Sequence, residues 1–259
     1  MARTHTTRRT TQRFARLVLA VALGLSLPAL AQADDRTWRF SISAFGGKSF
    51  AANQDVDINC GSICNPTDPY HGTAHGVQLQ DAPSFGGKVT AWYTPRNYDW
   101  QPQIGLQLDW TRFTGDVHPQ TQGATGTVST PGMQLGSFTF AGREIGVNVL
   151  AMNLMFRYPI GVSPSLPEGR WYPYVGIGGG VQRANMTYVP NGERETSYTP
   201  AYQVMAGVNI FIFKNLAIFG ELKRTSGTHT FTYNGTLGDR TDRWTITSNH
   251  VTGGVSLHF

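Results

Sequence analysis

In "QIGLQLDWTRF", Ile104, Leu106, Leu108 and Trp110 take every second position, and Gln103, Gln107, Asp109 and Thr111 fall between them. A period of two is that of a β-strand, whose successive side chains point to opposite faces. The same alternation recurs along the chain. "TWRFSISAFGG" sets Trp38, Phe40, Ile42 and Ala44 against Arg39, Ser41, Ser43 and Phe45. "SFGGKVTAWY" sets Phe85, Val89, Ala91 and Tyr93 against Gly86, Lys88, Thr90 and Trp92. In "VLAMNLMFRY", Leu150, Met152, Leu154, Phe156 and Tyr158 oppose Asn153 and Arg157. "WYPYVGIGGGVQR" alternates Val175, Ile177 and Val181 with Gly176, Gly178, Gly180 and Gln182. "AYQVMAGVNIF" and "NLAIFGELKR" follow as a hairpin, with Gln203, Asn209, Glu221 and Lys223 on the polar parity. "HVTGGVSLHF" ends the chain with Val251, Val255, Leu257 and Phe259 on one side.

These segments predict about eight strands, each with one oily and one polar-containing face. Short turns alternate with long polar loops near 48–83, 114–143, 187–198 and 225–245. Two architectures fit the alternation. In a soluble sandwich the apolar faces meet inside and Arg39, Lys88, Asp109, Arg157, Glu221 and Lys223 are solvated. In a membrane-spanning barrel the apolar faces meet lipid and those six residues form a paired network in the lumen. The asymmetry of short and long connections favours the barrel. So do the aromatic residues Trp38, Tyr93, Trp110, Tyr158 and Trp171 near segment ends, where interfacial girdles lie. So does an apolar terminal strand that needs a partner to hide its edge.

The amino-terminal region changes the compartment under consideration. Arg3, Arg8, Arg9, Arg13 and Arg16 precede the apolar run "LVLAVALGLSL", and "AQA" precedes Asp34, which is the three-part form of a secretory leader. Residues 1–33 are expected to be a cleaved signal peptide and 34–259 a single domain. The whole chain carries 21 Lys and Arg against 16 Asp and Glu. Loss of the five leader arginines leaves a balanced chain, so the basic charge belongs to export and no nucleic-acid partner is expected. The 30 glycines and 12% aromatic residues fit short strands and turns.

"WYPYVGIGGGV", "YQVMAGVNIFIFKNLAIFGELKRT" and "HVTGGVSLHF" together resemble the small outer-membrane β-barrels of the opacity-protein and OmpA-transmembrane-domain type. The resemblance implies an all-β, closed antiparallel transmembrane β-barrel in the outer membrane of a Gram-negative-type bacterium. It also implies that Val251, Val255, Leu257 and Phe259 serve as the signal read by the barrel-assembly machinery. Outer-membrane lipid and lipopolysaccharide are the implied surroundings, and the expected role is structural or a surface interaction through loops that hold an extracellular ligand. An eight-stranded interior is filled by side chains, so a narrow-conductance pore is the weaker reading of the lumen charges.

Candidate chemistry is sparse, and neither a cofactor nor a catalytic centre is expected. Cys60 and Cys64 in "CGSIC" are expected to form a disulfide in an oxidising compartment. A metal site drawing in His71 and His75 is the lesser alternative, because C-x₃-C without a second pair is a weak zinc pattern. "SGTHTF" around His229 and "SNHV" around Ser248 and His250 raise a lipid A-modifying hydrolase as the alternative function. That chemistry needs a hydroxyl and an imidazole on one face, plus an orienting group.

Overall fold

The computed structural model describes residues 37–60, 70–95, 98, 100–128, 136–188, 192–235 and 238–259. The expected leader lies outside the described residues. In chain order the strands are β1 (Trp38–Ala51), β2 (Gln54–Cys60), β3 (Tyr70–Val77), β4 (Ala82–Tyr93), β5 (Gln103–Thr114), β6 (Gln120–Val128), β7 (Ser137–Phe140), β8 (Arg143–Arg157), β9 (Trp171–Tyr188), β10 (Glu193–Phe213), β11 (Leu216–Gly235) and β12 (Gly238–His258).

The expectation of an eight-stranded closed barrel is corrected: the sheet has twelve strands. Its order is β1-β4-β5-β8-β9-β10-β11-β12-β2-β3-β6-β7, with a further pairing of β1 to β12. That pairing runs from Ser41 opposite His258 to Ala51 opposite Ser248 and joins eight of the strands in a ring. The other four come from the stretches 48–83 and 114–143 that sequence periodicity assigns to loops. The chain line of β1 is interrupted at Ala52 and Asn53, after which β2 runs beside β12 with Val56 opposite Trp244. β3 then pairs with β2, β6 with β3, and β7 with β6. Breaks near Gln80, Asp116 and Gly142 likewise separate β3 from β4, β5 from β6, and β7 from β8.

The β4–β5, β8–β9 and β10–β11 connections lie at one end, here the lower end, where Trp38 and His258 also lie. There the outward positions are apolar and open: Leu106 is 52% exposed, Met152 63%, Ile177 60%, Leu222 62% and Val255 50%. The outward apolar run extends from Trp171 to Val181 on β9 and from Tyr202 to Ile212 on β10. These runs match the roughly 9–11 residues with which a tilted strand crosses hydrocarbon. The inward positions at this level mix polar side chains, among them Gln103, Gln107, Asp109, Asn153, Gln203 and Thr252, with a buried cluster of Trp92, Met155, Tyr172, Tyr174, Met205 and Phe211.

Toward the other, upper end the two faces exchange chemistry along the same strands. On β8 the inward series reads Arg157, Met155, Asn153, Ala151, Val149, Val147 and Ile145, while the outward series passes from Leu154, Met152 and Leu150 to Asn148 and Glu144. Val147, Val149 and Ile145 join Val56, Ile58, Phe113, Met186, Phe231, Trp244 and Ile246 in one apolar core that fills the upper end. Two opposite side-chain patterns therefore share one continuous backbone, and the changeover lies near Leu150 and Ala151. The β10–β11 pairing ends upward at Ala201 opposite Gly227. Above it, β10 pairs with β9 and β11 with β12.

Candidate functional site

The inside of the ring carries charge at three levels. Midway, Lys88 on β4 and Asp109 on β5 are register partners, and Glu221 and Lys223 project inward from β11 across the ring. Lys223 Nζ donates to Asp109 Oδ2 at 2.7 Å and to Thr111 Oγ1 at 3.0 Å, and it lies 3.5 Å from Glu221 Oε1. Lys88 Nζ pairs with Glu221 Oε2, which also accepts the Tyr174 hydroxyl at 2.8 Å. The Phe45 ring packs against both ammonium groups, 5.1 Å from Lys88 and 4.4 Å from Lys223. Two cations and two carboxylates make the layer neutral, which is the condition for holding charge away from water.

At the lower end, Arg157 donates through Nη1 to Glu168 Oε2 at 2.7 Å and through Nε to Gln103 Oε1 at 2.8 Å. Its guanidinium stacks between Trp92 and Tyr172, 4.4 and 4.8 Å from their ring centres. Glu168 belongs to the β8–β9 connection, which folds back to close this end. Burial raises its carboxyl pKa, but Arg157 and then His258 outweigh burial and hold it at about 2.

Ser256 Oγ lies 3.0 Å from His258 Nε2, and His258 Nδ1 lies 3.3 Å from Glu168 Oε2. The order hydroxyl, imidazole, carboxylate is that of an acyl-transfer triad. The surroundings do not fit that role. Nδ1 is misaligned for a hydrogen bond, and Ser43 donates to Ser256 Oγ at 2.9 Å. The cavity beside Ser256 measures about 20 Å³. Space of that size holds about one water and no acyl group.

At the upper end, Arg143 Nη1 pairs with Asp242 Oδ2 at 2.9 Å, and Arg240 Nε reaches Asp242 Oδ1 at 2.8 Å. Arg143 also lies over the Trp244 ring at 5.1 Å. Sequence periodicity misses Glu168, Arg143 and Asp242, because all three stand in stretches that read as connections. The unusual carboxylate in "SLPEGR" is the one available signal for Glu168.

Of the six residues expected to share a lumen network, Lys88, Asp109, Glu221 and Lys223 come together. Arg157 pairs separately with Glu168, and Arg39 is half-buried with no ion pair among the described residues. Val251, Val255 and Leu257 point outward in the apolar belt, and Phe259 follows β12. The expected Cys60–Cys64 disulfide falls on side chains outside the described residues, among which no disulfide is found. Cys60 closes β2, where the backbone is committed to ladders opposite Arg240 and Tyr70, and Cys64 lies outside the described residues.

His75 is engaged at the surface, with Nε2 2.8 Å from Thr125 Oγ1 and Nδ1 3.3 Å from Asp55 Oδ2. The Gly76 amide and then His75 lower the Asp55 pKa. No group of three metal-ligating side chains occurs among the described residues. His229 and Ser248 are buried inside, and His250 faces inward with Nε2 3.2 Å from Thr225 Oγ1. None of them reaches the outer apolar surface that a hydrolase of membrane lipid would have to present.

No protein-family model and no curated protein matches the chain. Among solved structures it is similar to the outer membrane protein OprG from Pseudomonas aeruginosa, at 11% identity and a TM-score of 0.45, covering 86% of this chain and 97% of that one. Neisserial surface protein A, NspA, is similar at 14% identity and a TM-score of 0.42, covering 86% and 98%. The N-terminal β-barrel domain of Pseudomonas aeruginosa OprF is similar at 14% identity and a TM-score of 0.37, covering 85% and 97%. Likeness at this level establishes no shared activity.

Proposed function

We propose that the chain is an integral outer-membrane protein without catalytic activity, whose spanning ring holds an apolar-cored β-structure at the cell surface. The observation that carries this reading is the exchange of faces along β8. Leu150, Met152 and Leu154 are exposed where the inward side carries charged and amide groups such as Asn153 and Arg157, and Asn148 and Glu144 face outward where the inward side is apolar. A wholly water-soluble domain gains nothing from the first arrangement, and a wholly embedded one gains nothing from the second. With the lower end toward the periplasm, the long upper strands and the four strands added beside them face the outside.

The role is structural or one of surface interaction, and partners approach the upper strands. Lipid surrounds the belt, lipopolysaccharide meets its upper rim, and Val251, Val255, Leu257 and Phe259 are offered to the assembly machinery during insertion. The filled interior disfavours conduction: the neutral charged layer is buried, and the apolar core lies above it.

Vesicle flotation tests the reading. Mature protein refolded with phospholipid vesicles is expected to float with them and to migrate differently on gels before and after boiling. A monomer that stays in the aqueous fraction without detergent contradicts it.

A further inference from the structure

Directly above the apolar belt, one outward row crosses four neighbouring strands: Arg112 on β5 opposite Asn148 on β8, Asn148 opposite Arg183 on β9, and Arg183 opposite Tyr198 on β10. Both arginines are exposed, and neither has a carboxylate partner among the described residues. Lys48, at the same rim on β1, is by contrast held by Asp81 at 2.9 Å. Arg183 lies 5.6 Å from the Tyr198 ring, which steadies it beside the sheet.

Adjacent strands are spaced about 4.8 Å apart, so the backbones of Arg112 and Arg183 stand roughly 10 Å from each other. Two long side chains converging from that separation can grip one phosphate, with Asn148 between them as a neutral donor. The row beneath is Trp110, Leu150 and Val181, each opposite the next. One row lower, Gly179 leaves a dent between Met152 and Tyr202, its two register partners. Paired free guanidinium groups directly over an uninterrupted oily strip complement a molecule that joins phosphate to acyl chains.

Resting on the membrane reading above, we propose that Arg112, Asn148 and Arg183 seat the phosphorylated headgroup of an acylated glycolipid of the outer leaflet, with an acyl chain along the Gly179 dent. The probe is bis-phosphorylated lipid A mixed into phosphatidylcholine vesicles that carry the refolded protein. Co-purification is compared for wild type, Arg112→Gln/Arg183→Gln and Arg224→Gln, the last an exposed arginine elsewhere on the rim.

The double variant is expected to hold lipid A about ten-fold more weakly. Arg224→Gln is expected to retain wild-type binding, and dephosphorylated lipid A to bind both proteins alike. Equal retention by the double variant and wild type, with both floating, overturns the seat and leaves the membrane reading standing. Full displacement of lipid A by inorganic phosphate also overturns it, in favour of a free-anion site. Failure of the wild type to float removes the membrane reading and the seat with it.

Discussion

Lys223 and Asp109 are 114 residues apart in sequence and meet at 2.7 Å inside the ring, both side chains closed to solvent. Neither strand could leave its partner's charge alone at modest cost, because desolvation of an unpaired ion exceeds what most single contacts return. The pair therefore ties β5 to β11 across the interior in a way that main-chain ladders between neighbours do not.

Asp109→Asn leaves one carboxylate, Glu221, to serve both Lys88 and Lys223. The expected loss is about 3–5 kcal/mol, the range for breaking one side of a buried pair. Asp109→Leu combined with Lys223→Met removes one charge of each sign and is expected to recover most of it. Urea unfolding in lipid vesicles, followed by heat-dependent gel migration, checks both. Equal losses for the single and double variants would remove the pair from the account.

Trp244 is fully buried in the upper core, its ring 5.8 Å from that of Phe140. Trp244→Ala is expected to cost about 3–5 kcal/mol by opening a cavity. The damage is expected above the belt, because the core residues around Trp244 lie on the upper parts of their strands. Limited proteolysis of vesicle-bound protein should cut β2, β3 or β6 faster in the variant, while the embedded part keeps its heat-dependent migration. Unchanged cleavage would mean that the upper strands do not depend on this core.

His229 lies above the belt, fully buried with its ring stacked against Phe231 at 5.9 Å. Burial lowers its pKa from 6.5 to about 4. The unfolded chain therefore takes up a proton at a higher pH than the folded one does. Its neutral form supports the fold fully above pH 6.5, and that support falls as pH drops from 6.5 through about 4. Protease resistance of the upper strands should weaken across that window in the wild type and change less in His229→Gln. Identical pH profiles would contradict a buried neutral imidazole.

Much of the belt was legible in the sequence. In β5 the alternation of Ile104, Leu106, Leu108 and Trp110 with Gln103, Gln107 and Asp109 fixes two faces, and no reversal occurs before Phe113. β8 was legible only in part. Its alternation continues above Leu150, but with Asn148, Gly146 and Glu144 outward the apolar parity passes to Val149, Val147 and Ile145, so periodicity read with one fixed face ends the strand early. β2 was missed for a related reason. Val56 and Ile58 are its only two large apolar side chains, set among Asp55, Asp57 and Asn59, and a strand with so little oily surface looks like a polar loop until Trp244 on β12 supplies the opposite side of the core. Lys88, Asp109, Glu221 and Lys223 could be grouped by parity, whereas Glu168 reaches Arg157 only because a connection folds inward.

The central claim is that outward apolar side chains of the ring touch lipid hydrocarbon, and nitroxide accessibility tests it most directly. Cysteine-linked spin labels placed singly at Leu106, Met152 and Val255, and at Gln107, Asn153 and Ser256, are compared in vesicles for collision with a lipid-dissolved and a water-dissolved relaxant. The first three are expected to respond to the lipid-dissolved relaxant and the second three to be shielded from it. Shielding of Leu106, Met152 and Val255 together with lipid access at Gln107, Asn153 and Ser256 would contradict the account.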